Sequence, residues 1–312
     1  MGSGTEVIWV TWRQHRAEAA VGALILATLS AGLVILGTIA RDRARALGVS
    51  ACTSAAGRCG SAIDRLHQDF HSIPPFTAAL IAVPLLAGMF WAAPLVSREY
   101  EAGTHRLAWT QSVSPLRWIT AKIALIFGAS AVAALGLGLL ATWTLDPLTP
   151  AFGGRYNSSW YDIQGIVPVA CILFALGVGL TASALLKRTV PAIALTLVVY
   201  AAARIPIHFI RAHFAPITTR VISLQQSGLT KVPGATVTQR VGGSPLKIFI
   251  PNLPLGDWLL SVSRIDSRHE VIHYQIAAHF WLIQTAESAI FLILTALLVF
   301  TAIRAITRRS LT

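Results

Sequence analysis

Charge is scarce in this chain of 312 residues, at 12% of positions against 54% hydrophobic. So little charge, with apolar runs near or above the roughly 20 residues that cross a bilayer, excludes a soluble globular protein and makes the chain a polytopic membrane protein. Acidic residues are the scarcer sign, 13 against 25 Lys and Arg, for a net charge of +12. In a soluble chain that excess would point to nucleic acid. Here the basic residues scatter over loops and the ends of apolar runs, where phospholipid headgroups are the nearer anions, so no nucleic-acid partner is expected. No G-x-x-x-x-G-K-S/T phosphate loop occurs, which excludes that way of cradling a nucleotide. Repeats of fixed period, low-complexity tracts and linkers to a second domain are also missing. The first apolar run is too long for the core of a cleavable signal and reads as an anchor, so the amino terminus is expected to be retained.

What is present is a set of six apolar runs at about 19–40, 75–96, 115–143, 166–186, 190–209 and 280–303, read as the spans of a single transmembrane domain over 1–312. Loops 41–72, 144–165 and 210–278 fall on one side, and 97–114 and the tight turn at Lys187-Arg188 on the other. Eleven Lys and Arg lie near the ends on the side of 97–114 against six in the two shorter loops opposite. That side is therefore expected to be cytoplasmic, with both termini inside a cell membrane. Arg41, Arg43 and Arg45, directly after the first run, oppose the assignment. Trp9 and Trp12, with Arg13, His15 and Arg16 beside them, read either as an amino-terminal interfacial helix or as a basic flank that orients the first span. Tyr156, Trp160 and Tyr161 read as an interfacial belt.

The stretch Ser97 to Lys122, SREYEAGTHRLAWTQSVSPLRWITAK, stands between two long apolar runs. Gly103-Thr104 interrupts a helix arriving from the second run, glycine being a poor interior residue and threonine a good cap. A short helix from His105 to about Gln111 can follow, and Ser114-Pro115 is suited to start the third span. Glu99-x-Glu101-x-Gly103-Thr104, then Leu107, Ser114-Pro115 and Lys122, resembles the cytoplasmic coupling segment of permease subunits of ATP-binding-cassette exporters of the type 2 permease family. The resemblance implies an all-α membrane protein with six transmembrane helices, an amino-terminal interfacial helix and a short cytoplasmic coupling helix within 97–114. It implies that Glu99, Glu101, Gly103, Thr104, Arg106 and Leu107 couple to a separate ATPase subunit, present in two copies, which binds ATP and Mg. A second permease subunit, identical or similar, would complete the transporter. The substrate would be lipophilic or amphipathic: a drug, antibiotic, lipid or peptide. Tyr274-Gln275, Phe280-Trp281, Gln284 and Glu287 are similar to the entry of the last span in actinobacterial-type members. No cofactor and no catalytic residue are expected in the chain itself.

Alternatives rest on other residues. His269-Glu270-Val271-Ile272-His273 matches H-E-x-x-H, with His279 in the place of a third ligand, and on a helix His269 and His273 would share a face and hold zinc, as in a membrane metalloprotease. Ile276 stands where the extended pattern needs glycine, and the surrounding residues are strand formers, which counts against it. Asp64, His67 and His71 could share a helical face around a divalent ion. A non-transporting membrane binding protein is a further alternative. Inside the sixth span, Glu287 lies about two turns from the outer end with Gln284 nearly a turn before it. A carboxylate there must be paired, protonated or wet, and it reads as a helix-to-helix pin or a hydrophilic point in a path, with Arg204 and His208 of the fifth span as candidate partners. Lys122 reads as a snorkelling anchor. Cys52 and Cys59 are close enough to bridge, either as an outer disulfide, the favoured reading, or as free thiols, while Cys171 is a small apolar residue of the fourth span.

Overall fold

The computed structural model describes residues 4–52, 58–103, 115–157, 160–223, 236–241, 244–249, 256–265 and 269–309. Among them, six helices are long and apolar enough to cross a membrane: Ala19–Ala46, Pro75–Glu101, Leu116–Ala151, Val167–Leu186, Thr189–Phe214 and Ala277–Thr307. Helix is the forced choice, because hydrocarbon offers a backbone N–H or C=O no partner outside its own segment. The chain is thus an all-α membrane protein in its spans.

The first span belongs to one helix, Gly4–Ala46, of 43 residues. At 1.5 Å per residue it is about 64 Å long, twice the hydrocarbon thickness. The segment expected to form an interfacial helix therefore runs into the span without a break. No proline or glycine lies between Gly4 and Gly22 to interrupt it.

The fourth span is the axis of the bundle: 78% of its most apolar stretch is buried, against 6% for the first span. Its small residues admit the second span at backbone distance. A Cβ added at Gly88 would meet the Ala175 carbonyl oxygen at 2.6 Å, and one at Gly179 would strike the Gly88 carbonyl oxygen, so glycine is required on both sides of the crossing. The second span is itself jointed. Helix Pro74–Ala87 passes through a π-helical turn, Gly88–Ala92, into helix Pro94–Glu101. Pro94 has no N–H to continue the ladder and its ring crowds the preceding turn, and the wider turn accommodates it, with Ala93 N donating to Gly88 O five residues back at 3.0 Å.

The segment after the fifth span, expected only as a loop, contains strands. β1 (Thr218–Ser223), β4 (Trp258–Arg264) and β5 (His269–Gln275) form an antiparallel sheet in the order β1-β5-β4, and β2 (Thr236–Val241) pairs with β3 (Ser244–Phe249) as a hairpin. The sheet is tied to the bundle by Gln275, whose Nε2 donates to Ala212 O at 2.8 Å and Ala215 O at 2.9 Å. At the same end Cys52 and Cys59 are joined in a disulfide.

The three arginines that opposed the expected orientation are largely occupied. Arg43 pairs with Asp69 at 2.6 Å, Arg45 with Asp42 at 3.6 Å, and the Arg41 guanidinium lies 3.6 Å from the centre of the Trp143 ring while donating to the Trp143 carbonyl.

Candidate functional site

Two polar clusters stand at opposite ends of the bundle, and both are made of residues far apart in sequence. The first lies where the second span ends. Helix Pro94–Glu101 restarts after the π-helical turn, so its first N–H groups have no partners within the helix. Ser183 of the fourth span supplies one: its Oγ accepts from Val96 N at 3.2 Å and Ser97 N at 2.7 Å. Ser97 Oγ donates to Ala93 O at 2.8 Å and lies 2.9 Å from Thr189 Oγ1, where the fifth span begins.

Within the next turn come the glutamates of the coupling pattern. Glu101 accepts from Thr189 N at 2.9 Å and from Thr189 Oγ1 at 2.8 Å. It thereby caps the fifth span in trans, placing a carboxylate on unpaired N–H groups at the positive end of a helix dipole. Glu99 pairs with Lys122 of the third span. Lys122 is 1% exposed, and its ammonium sits 4.3 Å from the centre of the Trp118 ring. This corrects the reading of Lys122 as a snorkelling anchor, for its charge is held inward by a carboxylate and an aromatic face. The end of the second span is thus fastened to the third, fourth and fifth spans. Gly103, φ +68°, turns the chain out of the helix, as its place in the pattern requires. Thr104, Arg106 and Leu107, with the expected short helix, lie outside the described residues.

The second cluster sits at the far end. Arg204 of the fifth span pairs with Glu287 of the sixth and with Asp162, on the short turn Tyr161–Ile163 before the fourth span. Arg211 reaches the same Asp162, and His208 Nδ1 lies 3.6 Å from its other oxygen. All four charged groups are sheltered, from Glu287 at 0% to Arg204 at 12% exposure, and two carboxylates face two guanidiniums, so the net charge removed from water is zero. Burial raises the Asp162 pKa, but the neighbouring His208 imidazole and the charges of Arg204 and Arg211 outweigh it and hold the carboxyl at about 2. Burial pushes the Tyr161 and Tyr156 hydroxyls upward, so both remain donors; Tyr156 donates to Ile276 O at 3.2 Å. Neither Tyr156, Trp160 nor Tyr161 is an exposed belt residue. All three are buried, Tyr156 stacking on Trp258 of β4 with ring centres 5.3 Å apart.

Gln284, fully buried, fixes this turn. Its Oε1 accepts from Ile166 N at 2.9 Å and Val167 N at 3.4 Å, and its Nε2 donates to Gln164 O at 3.0 Å. It supplies what the first turn of the fourth span lacks. Gly165, φ +66°, lets the amide approach, because a Cβ there would strike it.

Of the residues singled out in the sequence, Gln284, Glu287, Arg204 and His208 gather at this cluster, with His208 on Asp162 rather than on Glu287. Asp162 and Arg211 were missed. Asp162 follows an aromatic run that explains itself as a membrane boundary, and nothing in its spacing points to partners dozens of residues away.

The zinc reading is overturned. His269 and His273 lie on strand β5, where four residues span about 13 Å, too far for two ligands of one zinc ion. His273 Nδ1 lies 3.1 Å from Thr219 Oγ1 on the neighbouring strand. His67 Nδ1 contacts Ala151 O at 3.0 Å and His71 Nδ1 contacts Gln68 O at 2.7 Å, and among the described residues no cluster of three possible ligands occurs.

The family model described as ABC-2 membrane transporter related matches residues 23–211. That stretch is more than half of the chain and includes the whole first cluster with Asp162, Arg204 and Arg211 of the second. No curated protein and no solved structure matches.

Proposed function

The chain belongs to the ABC-2 membrane transporter related family, and on that premise we propose that it is the membrane-spanning subunit of an ATP-driven exporter of lipophilic or amphipathic compounds. ATP and Mg bind a separate ATPase, two copies of which serve two permease subunits, identical or similar, of the actinobacterial-like kind. The chain carries out no chemistry of its own. Both termini and the segment 97–114 face the cytoplasm.

The observation that carries this reading is the fastening of the second span at the coupling pattern. The Glu99–Lys122 pair, the Glu101 cap on Thr189 and the Ser97–Ser183 contact join its end to three other spans. A push received on the segment beyond Gly103 then moves several span ends together rather than bending one helix. The jointed second span, with its π-helical turn between Pro84 and Pro94, takes up the difference between a moving cytoplasmic end and an outer end packed against the turn Tyr161–Ile163. Closure of the ATPases supplies the bias because the segment contacts their open and closed forms differently. In this reading Glu99 and Glu101 transmit force within the subunit, and the ATPase is met by the residues that follow.

The experiment is affinity capture of the solubilised chain from its own cell, with an ATPase assay on what co-purifies. A stoichiometric subunit bearing a phosphate loop, released by Arg106→Ala with Leu107→Ala, is expected. A chain that emerges alone and without ATPase activity overturns the reading and favours a non-transporting binding protein.

A further inference from the structure

The fourth and fifth spans are joined by two residues, and both are basic. Leu186 ends one helix and Thr189 begins the next, so Lys187 and Arg188 reverse the chain by themselves. Lys187 takes the left-handed conformation, φ +54°, the one residue other than glycine to do so among the described residues. The position that closes a helix in this way is ordinarily glycine's, because a Cβ there crowds the backbone. A lysine kept where glycine would fold with less strain points to work for its side chain. That side chain is exposed, and its ammonium lies 5.3 Å from the centre of the Tyr100 ring, which draws it across to the end of the second span.

A third cation completes this corner. Arg98, exposed in the last turn of the second span, and Arg188, exposed in the connecting turn, both lie within electrostatic reach of Glu101. The carboxylates here are already engaged, Glu99 with Lys122 and Glu101 with Thr189. Arg98, Lys187 and Arg188 therefore stand around a single carboxylate, Glu101, and leave an excess of positive charge. On either side of the two basic residues the exposed side chains are Leu185, Leu186 and Val190, apolar groups suited to hydrocarbon at the end of a span. Cations above an apolar skirt match a phosphate at headgroup level with an acyl chain below it. An acidic protein surface would answer the cations and leave the skirt uncovered.

We propose that this corner is a binding site for one anionic phospholipid, its phosphate held by Arg98, Lys187 and Arg188 and one acyl chain lying on Leu186 and Val190. Because the cations come from the end of the second span and from the turn between the fourth and fifth, the headgroup ties together the same span ends that Ser183 and Glu101 join from within. The site requires only a membrane and holds whether or not ATP drives transport.

The test titrates the full chain in a neutral detergent with phosphatidylglycerol, or with phosphatidylcholine of the same tails, and counts bound lipid by native mass spectrometry beside the melting temperature. Phosphatidylglycerol should bind saturably, one per chain, about fivefold or more tightly than phosphatidylcholine, and should raise the melting temperature. Lys187→Gly is the discriminating variant. Without lipid it should melt no lower than the parent, since glycine suits the turn, yet its affinity for phosphatidylglycerol should fall about fivefold, the contribution of one basic residue at a membrane surface. Arg188→Gln should fall by a similar factor, while Arg45→Gln, the same change of charge at the opposite end of the bundle, should leave affinity unchanged. Equal binding of the two lipids, binding without saturation, or a Lys187→Gly chain that binds phosphatidylglycerol as the parent does overturns the proposal. So does release of a co-purifying ATPase by Lys187→Gly with Arg188→Gln while lipid binding stays the same, which would make the corner a protein contact.

Discussion

Replacing Arg204 should cost far more than replacing the carboxylate it serves. Arg204 bridges two acids, while Asp162 retains Arg211 if Arg204 is removed. Arg204→Met therefore leaves Glu287, at 0% exposure, as a buried charge that has lost its guanidinium. Breaking a buried pair from one side costs about 3–5 kcal/mol, because the survivor stays desolvated. Glu287→Gln keeps an acceptor for the guanidinium and leaves Arg204 on Asp162, so its cost is that of a weakened hydrogen bond, about 1–2 kcal/mol. The double variant removes one charge of each sign and should fall near the milder single change, so the coupling has about the size of the Arg204→Met cost, about 3–5 kcal/mol. In apparent melting temperature, followed by size-exclusion chromatography of heated detergent samples, Arg204→Met should lose on the order of 10 °C and Glu287→Gln less than half of that. Equal losses in the two single variants, adding in the double, would refute the argument that charge balance holds the cluster together.

Glu101→Ala should lower the melting temperature by removing the cap on Thr189, and Glu101→Gln by less, read as the same thermal shift. Gly179→Ala should be severe, since its Cβ would strike the Gly88 carbonyl, with a cost of about 1–3 kcal/mol or loss of the folded protein. Gly128→Ala, with nothing within 4 Å, should be neutral or stabilising by about 0.5–1 kcal/mol; the paired melting curves check both. For Asp162 the folded pKa of about 2 lies below its ordinary 3.8, so its stabilisation is complete above that ordinary value and is lost as pH falls towards 2. The melting gap between the parent and Asp162→Asn should stay constant from pH 8 to pH 5 and narrow only below about pH 4; a gap that closes near neutrality contradicts the pairing.

The spans were legible because a bilayer converts length and apolarity directly into helix, and the six runs needed no knowledge of their neighbours. Glycine at 103 likewise announced a turn. The strands of 218–275 were less visible, being short and joined by polar chain, although the strand formers around Val271 and Ile272 gave β5 away. What sequence could not supply was partnership. Glu99 and Glu101 stand at a span end, where charges are ordinarily solvated, and their attachment to Lys122 and Thr189 depends on the helix restart at Pro94 that swings the second span against its neighbours. Asp162 and Arg211 were invisible for the same reason, since a charge cluster assembled from three separated segments leaves no periodic trace in any one of them.

The central claim, that the ends of the second, third and fifth spans move as one body under the ATPase, is tested most directly by spin-label distances in the complex with its ATPase. Labels on Thr120 and Lys187, both exposed, report the separation within one subunit, and Thr120 labels on the two permease subunits of the proposed assembly report the separation between them. On adding ATP and Mg to the parent, the distance within the subunit should stay fixed and the distance between subunits should change; with Lys122→Met the first should broaden. A change within the parent subunit, or no change between subunits, would contradict the account.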